Sequence, residues 1–237
     1  MADLSRLSYV QRGEGKDMVF FHGYLSSKES FAAQLGYFSR FCRVTALDFP
    51  GFGGAEPLTE PYSVADYAAW TVEALAALGV ERPHVVAHSF GCRVAVKMAA
   101  GGENFDRLLL TGPAGIILGR GAGYRVRVGT YRLVKKIAPR FAERHFGSAE
   151  YRTLSPVMRE SYKKIVNEDL RGDARKIGNE VLLIEGKEDG TTPLKAAEIY
   201  LSCLRRGRLK TMEGGHFAFA EYPVAFNLIA EEFFFHG

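Results

Sequence analysis

Ser89 has the neighbours that a nucleophilic serine needs. It lies in the stretch VVAHSFGCRV, in which an apolar strand pattern changes to a helical one. Ala87 and Gly91, two positions before and after it, are small enough to permit the sharp turn that lifts a hydroxyl out of the end of a sheet. Serine before a helix is also typical of an N-cap. Ser89 is therefore predicted to be a nucleophile, with the N-cap as the alternative.

The sequence also supplies a base and an acid downstream of this serine. A serine hydroxyl is a poor nucleophile at neutral pH, so it needs a base in hydrogen-bonding reach and a group that orients the base. His216 lies in EGGHFAF, and Asp189 lies in EGKEDGTTP. Glu185 and Glu188 flank Asp189 and are alternatives for the acid. A triad of this kind attacks an acyl carbonyl and forms an acyl-enzyme.

Short apolar runs alternate with helical patterns along much of the chain. Strands are predicted over residues 18–21, 43–47, 84–88, 107–112, 181–186 and 208–212. This alternation is typical of an α/β fold with a mostly parallel central sheet flanked by helices, because parallel strands need crossover connections. Ser89, Asp189 and His216 each follow one of these strands at its carboxyl end, where open α/β sheets bind ligands.

Two helices have recognisable start signals. The helix predicted over residues 63–78 begins with Ser63 and Asp66 as a capping box, and Gly79 is suited to the left-handed residue after its end. A second helix is predicted to begin at Pro193, with Thr192 as its cap.

Composition narrows the class of protein. The 237 residues suit one α/β domain, and 47% hydrophobic with 24% charged residues excludes a disordered or fibrous chain. The N-terminal residues lack a signal-peptide pattern and no run approaches about 18 apolar residues, so a cytoplasmic protein is expected. Three cysteines without a CxxC pair, and histidines without zinc-site spacing, predict neither disulfides nor a metal site.

Residues 116–177 form a region of different composition. They contain 15 Lys and Arg against 6 Asp and Glu and show no convincing strand, which predicts a helical insertion over one end of the sheet. The positive charge would attract an acidic substrate, a membrane surface or nucleic acid. Charge runs are usually solvated faces, so the expected partner is a small molecule, possibly anionic, with neither nucleic acid nor stable membrane insertion.

Five segments together resemble the α/β-hydrolase superfamily. FFHGY resembles its strand that ends in His-Gly, and LDFPGFGGAE resembles its Asp-x-Pro-Gly-x-Gly-x-Ser segment. AHSFG, GKEDGTTP and GGHF are similar to its nucleophile, acid and base segments, in the same order. Three positions depart from the pattern: Ala87 replaces the first glycine of the nucleophile turn, Cys92 replaces a frequent glycine, and Ala55 replaces the usual serine.

The resemblance implies roles for further residues and an outline of the fold. The backbone N–H groups of Tyr24 and Phe90 would form the oxyanion hole, and His22 would shape the loop that carries Tyr24. Residues 1–115 and 178–237 would form the hydrolase core, and residues 116–177 would form a helical cap. Aromatic and basic cap residues would line the substrate pocket or face water, namely Tyr124, Arg125, Arg127, Tyr131, Phe141, Tyr151 and Tyr162.

A serine nucleophile in this superfamily implies a reaction that needs no cofactor. The expected activity is that of a carboxylesterase or lipase-like acyl hydrolase acting on a small-molecule ester. A carbon-carbon bond hydrolase of a keto-acid is the alternative enzyme. The alternative that is not an enzyme is a ligand-binding receptor that keeps the triad but has negligible turnover.

Overall fold

The computed structural model describes residues 7–119 and 153–236, and its strands form one sheet. The strands of the described part are β1 (Tyr9–Arg12), β2 (Lys16–Phe21), β3 (Cys42–Leu47), β4 (His84–His88), β5 (Arg107–Thr111), β6 (Glu180–Gly186) and β7 (Gly207–Met212). Their order is β1-β3-β2-β4-β5-β6-β7. Every neighbouring pair is parallel except β1 with β3. The prediction of a mostly parallel sheet is confirmed.

Helices cover both faces of this sheet. They are α1 (Ala32–Phe38), α2 (Val64–Ala77), α3 (Phe90–Ala100), α4 (Pro156–Val166), α5 (Arg171–Ala174), α6 (Leu194–Cys203), α7 (Ala218–Glu221) and α8 (Pro223–Glu231). A short 3-10 turn (Lys28–Phe31) precedes α1, and a π-helical turn (Glu232–His236) follows α8.

The side chains of the strands pack into two hydrophobic cores, because successive residues of a strand point to opposite faces of the sheet. In β2, Val19 and Phe21 pack in the core with α2, α3 and α6, whereas Met18 and Phe20 pack in the core with α1 and α8. All four side chains are essentially inaccessible to solvent. Continuous apolar runs such as MVFF therefore mark strands that are buried on both sides.

The start and end of α2 match the sequence prediction. Asp66 N–H donates to Ser63 Oγ over 3.3 Å, and Ser63 N–H donates to Asp66 Oδ2 over 2.7 Å, which completes the capping box. Gly79, directly after the C-cap Leu78, has a φ of +64°. Both the capping box and the left-handed glycine are confirmed.

Strand β1 is missing from the sequence prediction. Its four residues pair antiparallel with β3 at the edge of the sheet, with Tyr9 opposite Leu47 and Arg12 opposite Val44. The segment YVQR is partly or fully exposed along its length, so it carries no buried apolar run. An edge strand of this kind is defined by its pairing rather than by its own pattern.

The described part of the basic region is helical over α4 and α5. Ser155 caps α4, with Pro156 in its first turn, and Met158 and Ile165 pack against the core shared by α2 and α3. Residues 116–119, at the start of the predicted insertion, have no helical structure. Residues 120–152 of the predicted cap lie outside the described residues, and the boundaries at 116 and 177 stay a prediction.

Candidate active site

Ser89 occupies a strained turn between β4 and α3. Its φ of +48° and ψ of −107° lie in a region that side-chain-bearing residues avoid, at a cost of roughly 1–3 kcal/mol. The turn is held because Ser89 N–H donates to Thr111 O over 3.1 Å. Gly91 allows α3 to approach the sheet, since a Cβ there would lie 2.2 Å from Phe21 O. The Ser89 hydroxyl makes no capping bond to α3.

The three departures from the family pattern are each accommodated by local structure. Ala87 is fully buried in β4 and keeps a negative φ, so the turn begins without strain at that position. The Cys92 thiol is buried and donates to Ala87 O over 3.1 Å. Ala55 N–H donates to Phe52 O over 2.9 Å, which keeps the Pro-Gly loop folded without a serine hydroxyl.

The structure brings the three predicted triad residues together. His216 Nε2 lies 3.0 Å from Ser89 Oγ, and His216 Nδ1 lies 2.7 Å from Asp189 Oδ2. The loops that carry Asp189 and His216 meet because Gly186 has no side chain, as a Cβ there would lie 2.2 Å from Gly215 O. With Nδ1–H donating to the carboxylate, Nε2 is free to accept the serine proton.

Asp189 is surrounded by hydrogen-bond donors. Its Oδ1 accepts from the N–H groups of Thr191 and Thr192 over 2.7 and 2.9 Å, and its Oδ2 accepts from Thr192 Oγ1 over 2.8 Å. Burial alone would raise the pKa of Asp189, but the bonds from His216 and Thr192 outweigh it and hold the pKa below its usual value. Asp189 is therefore a carboxylate at neutral pH.

The prediction that Thr192 caps a helix is wrong. The helix α6 begins at Leu194, its N-cap residue is Pro193, and no side chain caps it. The Thr192 hydroxyl instead donates to Asp189. The bond to Asp189 turns the Thr192 hydroxyl into the loop, where its oxygen accepts no hydrogen bond from the amides of α6. A hydrogen bond to a carboxylate is about twice as strong as one between neutral groups.

The alternative acids differ from Asp189 in their surroundings. Glu188 is exposed on the same loop. Glu185 is fully buried at the end of β6, and neither of its carboxyl oxygens accepts a hydrogen bond from a donor in the described part of the chain. Burial, together with the neighbouring Asp189, raises the pKa of Glu185 to about 9. Glu185 is therefore neutral at pH 7.

His22 sets the orientation of the loop that carries Tyr24. Its Nδ1–H donates to Gly23 O over 2.7 Å, and its Nε2 accepts from Phe49 N–H over 3.1 Å. Burial lowers the pKa of His22, which keeps the ring neutral in this tautomer. Because a trans peptide points its C=O and the next N–H in opposite directions, His22 turns the Tyr24 N–H away from itself.

Gly23 allows this loop to lie directly against the nucleophile. A Cβ at Gly23 would lie 2.7 Å from His88 Nδ1 and 3.5 Å from Ser89 Cβ. His88 is itself fully buried and its Nε2–H donates to His216 O over 2.9 Å, so it ties the loop of the base to β4. Burial, with the neighbouring His216, lowers the pKa of His88 to about 3. His88 is thus a neutral packing residue.

Asp48 is a site residue that sequence reasoning did not single out. Its fully buried carboxylate accepts from Lys28 N–H and Nζ over 2.7 Å each, from Gly54 N–H over 2.8 Å and from Ser8 Oγ over 2.7 Å. It therefore joins the Pro-Gly loop to the segment that follows Tyr24. Asp48 directly follows the buried strand β3, and this position was the sequence signal that could have identified it.

A cavity of about 430 Å³ opens above the triad. Of the aromatic and basic cap residues proposed from the sequence, Tyr162 lines it, and the other six lie outside the described residues. Arg93 of α3 also lines the cavity, which the sequence did not indicate. The cavity walls include both predicted oxyanion residues and the triad histidine, and the residues that matter here are Tyr24, Ser89, Phe90, Arg93, Tyr162 and His216.

Comparison with known sequences places this arrangement in a family. A sequence model described as the alpha/beta hydrolase family matches residues 18–227, which is most of the chain. The chain belongs to the alpha/beta hydrolase family. The hydrolase superfamily that the five segments suggested is therefore confirmed, together with the α/β fold.

Similar proteins include hydrolases of different substrates. The hydrolase is 26% identical, over 96% of its length and 90% of the relative's, to 2-hydroxymuconate semialdehyde hydrolase of Pseudomonas putida. It is 31% identical to (E)-2-((N-methylformamido)methylene)succinate hydrolase of Acinetobacter baylyi, but only over 35% of this chain and 32% of that relative. An esterase structure from Exiguobacterium antarcticum shares the fold with a TM-score of 0.77 and 22% identity, over 96% of this chain and 94% of the other.

Two further features of the hydrolase concern membranes and metals. Among residues 7–119 and 153–236, no helix is both long and apolar enough to span a bilayer. In the same residues, no three His, Cys, Asp or Glu side chains converge as metal ligands would.

Proposed function

We propose that this hydrolase cleaves small-molecule esters with Ser89 as nucleophile, His216 as base and Asp189 as the acid that orients His216. In the first step the Ser89 oxygen attacks the acyl carbonyl while its proton passes to His216 Nε2. The backbone N–H groups of Tyr24 and Phe90 bind the resulting oxyanion. His216 then gives the proton to the leaving alkoxide, which departs as the alcohol and leaves an acyl group on Ser89.

Water completes the reaction by the same route. His216 takes a proton from a water molecule as the water oxygen attacks the acyl-enzyme, and the second tetrahedral intermediate occupies the same oxyanion hole. Collapse of this intermediate returns the proton to Ser89 and releases the carboxylic acid. Asp189 stays ionised throughout and stabilises the positive charge on His216.

One observation carries this proposal. Ser89 Oγ, in its strained turn, lies 3.0 Å from a histidine nitrogen, and the other nitrogen of that ring lies 2.7 Å from a buried carboxylate. These distances are within the reach that proton transfer requires. The cavity beside Ser89 supplies space for a substrate, with both oxyanion residues in its wall.

The test is hydrolysis of p-nitrophenyl esters from acetate to palmitate by the wild type and by Ser89→Ala. We expect Ser89→Ala to lose turnover by about 10⁴-fold or more, with an unchanged circular dichroism spectrum. Ser202→Ala, which changes an exposed serine of α6, is the matched control and should keep wild-type rates. Ester turnover that survives in Ser89→Ala would refute the proposed nucleophile.

A second candidate function is hydrolysis of a carbon-carbon bond in a keto-acid. Its support is the near full-length similarity to a relative named for 2-hydroxymuconate semialdehyde. The same triad would serve, but the bond that breaks would be carbon-carbon and the leaving group a carbanion. Loss of 2-hydroxymuconate semialdehyde absorbance, dependent on Ser89 and much faster than any ester cleavage, would favour this candidate. Ligand binding without Ser89-dependent turnover of either substrate would indicate the receptor.

A further inference from the structure

Arg93 places a guanidinium in the wall of the substrate cavity. It lies on α3 four residues after Ser89, which is about one helical turn or ~6 Å along the helix axis. Both residues line the same cavity. Arg93 is only 8% exposed as a whole residue, so its charge is largely removed from bulk water.

The contacts of Arg93 satisfy one nitrogen only. Its Nη1 donates to Ile165 O and to Glu168 O, each over 2.8 Å, at the end of α4. Within residues 7–119 and 153–236, the hydrogen bonds of Arg93 are those of Nη1, and Nε and Nη2 donate to no acceptor. The guanidinium therefore keeps donors for a further group, in a fork that suits a carboxylate.

Arg93 forms no direct ion pair in the described part of the chain, although the charges of Glu168 and Asp169 favour its protonated form. The two nearby carboxylates are engaged elsewhere: Glu168 pairs with Lys97 over 2.6 Å, and Asp169 pairs with Arg171. Burial lowers the pKa of Arg93, but an arginine stays protonated at neutral pH. A buried cation is costly unless an anion accompanies it, so an incoming anion gains free energy by pairing with it.

We propose that Arg93 binds a carboxylate of the substrate. The esters cleaved at Ser89 would then carry an ionised carboxyl group in addition to the ester group. The inference rests on the proposed function and specifies its substrate class. One turn of helix separates the nucleophile from the cation, so a spacer of a few carbons would join the two ends of the substrate.

Arg93 also has a structural task that the test must separate from recognition. Its two bonds to Ile165 O and Glu168 O attach the end of α4 to α3. Lys97 attaches the same region to α3 through Glu168 and Asp173, over 2.6 and 2.8 Å, but does not line the cavity. Lys97→Gln is therefore a matched control, because it removes a cation and a link between the same segments.

The experiment compares charged and neutral esters of equal acyl length. Mono-4-nitrophenyl glutarate is paired with 4-nitrophenyl valerate, and mono-4-nitrophenyl adipate with 4-nitrophenyl hexanoate, after subtraction of uncatalysed rates. We expect the ratio of kcat/KM for the carboxylate over the neutral ester to fall about 10- to 100-fold in Arg93→Gln, mainly through KM. Arg93→Lys keeps the charge without the fork and should give an intermediate ratio, whereas Lys97→Gln should keep the wild-type ratio.

The outcomes separate this inference from the proposed function. An unchanged ratio in Arg93→Gln, or an equal fall in Lys97→Gln, would overturn the role of Arg93 and leave the esterase intact. Absence of Ser89-dependent turnover would instead count against the proposed function. Calorimetry with Ser89→Ala then decides on Arg93: monomethyl glutarate should bind at least about tenfold more weakly after Arg93→Gln, and dimethyl glutarate should not discriminate. Equal binding of monomethyl glutarate would overturn the inference.

Discussion

The loop after β6 and the last residues of β6 itself each hold a buried carboxyl group, and the two have opposite chemistry. Asp189, in the loop, accepts from two amides, one hydroxyl and the His216 ring. Glu185, in the strand, accepts no hydrogen bond from a donor in the described residues. The pKa of Asp189 is lowered, and that of Glu185 is raised to about 9.

This difference shows that surrounding hydrogen-bond donors, rather than burial alone, decide which of the two carboxyl groups is ionised. A loop that turns back on itself aims its N–H groups at a side chain inside it. A central strand cannot do so, because its N–H groups are committed to neighbouring strands. The acid of the proposed triad therefore lies beyond the strand end, and the glutamate on the strand stays neutral.

Replacing Asp189 breaks the comparison most directly. Asp189→Asn keeps the shape but removes the charge that orients and stabilises protonated His216, so kcat for the best ester should fall by about 10³- to 10⁴-fold. Steady-state kinetics of Asp189→Asn measure this fall. The control is Glu188→Gln, which changes an exposed neighbour and should keep wild-type rates. A loss under tenfold would mean that another carboxyl group, such as Glu185, supplies the acid.

Glu185 should make the stability of the protein depend on pH. Its pKa is raised from 4.5 to about 9 on folding. The stability that this one group contributes is therefore fully present below pH 4.5 and is lost as the pH rises towards 9. The free energy of unfolding should fall by ~1.4 kcal/mol per pH unit through this group alone. Glu185→Gln should remove that slope, and urea denaturation at pH 7.0, 7.75 and 8.5 measures it.

The pH range for the Glu185 experiment is chosen to avoid titration of the buried histidines. Burial lowers the pKa of His84 to about 4, and it is the main reason that the pKa of His88 falls to about 3. Both histidines therefore change the stability only below about pH 6.5. Glu188→Gln should retain the wild-type slope between pH 7.0 and 8.5. Parallel slopes for wild type and Glu185→Gln would show that Glu185 is ionised in the folded protein.

Removing the Thr192 hydroxyl should have the smallest effect. Thr192→Val deletes one donor to Asp189 Oδ2 but keeps the Thr192 amide on Oδ1, so kcat/KM should fall about 3- to 10-fold. Thr192→Ser restores a hydroxyl and should recover most of the activity. If serine and valine behaved alike, the hydroxyl would contribute packing rather than a hydrogen bond to the acid.

The sequence predicted the fold well where local signals agree with tertiary packing. The apolar runs around Val85 and Leu183 identify central strands because such strands are buried on both faces. The edge strand β1 lacked such a run. Thr192 was assigned to a helix start from a sound local rule, but its hydroxyl is turned towards Asp189, three residues earlier, and does not cap α6.

The sequence by itself determined the order of the candidate triad, the small residues around Ser89 and the parallel sheet, since each depends on a turn, a strand or their spacing. Only the tertiary structure decided that Asp189 rather than Glu185 is ionised, and that Arg93 faces the cavity. Arg93 contacts Ile165, 72 residues away in sequence, and His216 meets Ser89 across 127 residues. The electrostatic environment of a side chain depends on segments that folding alone brings near it.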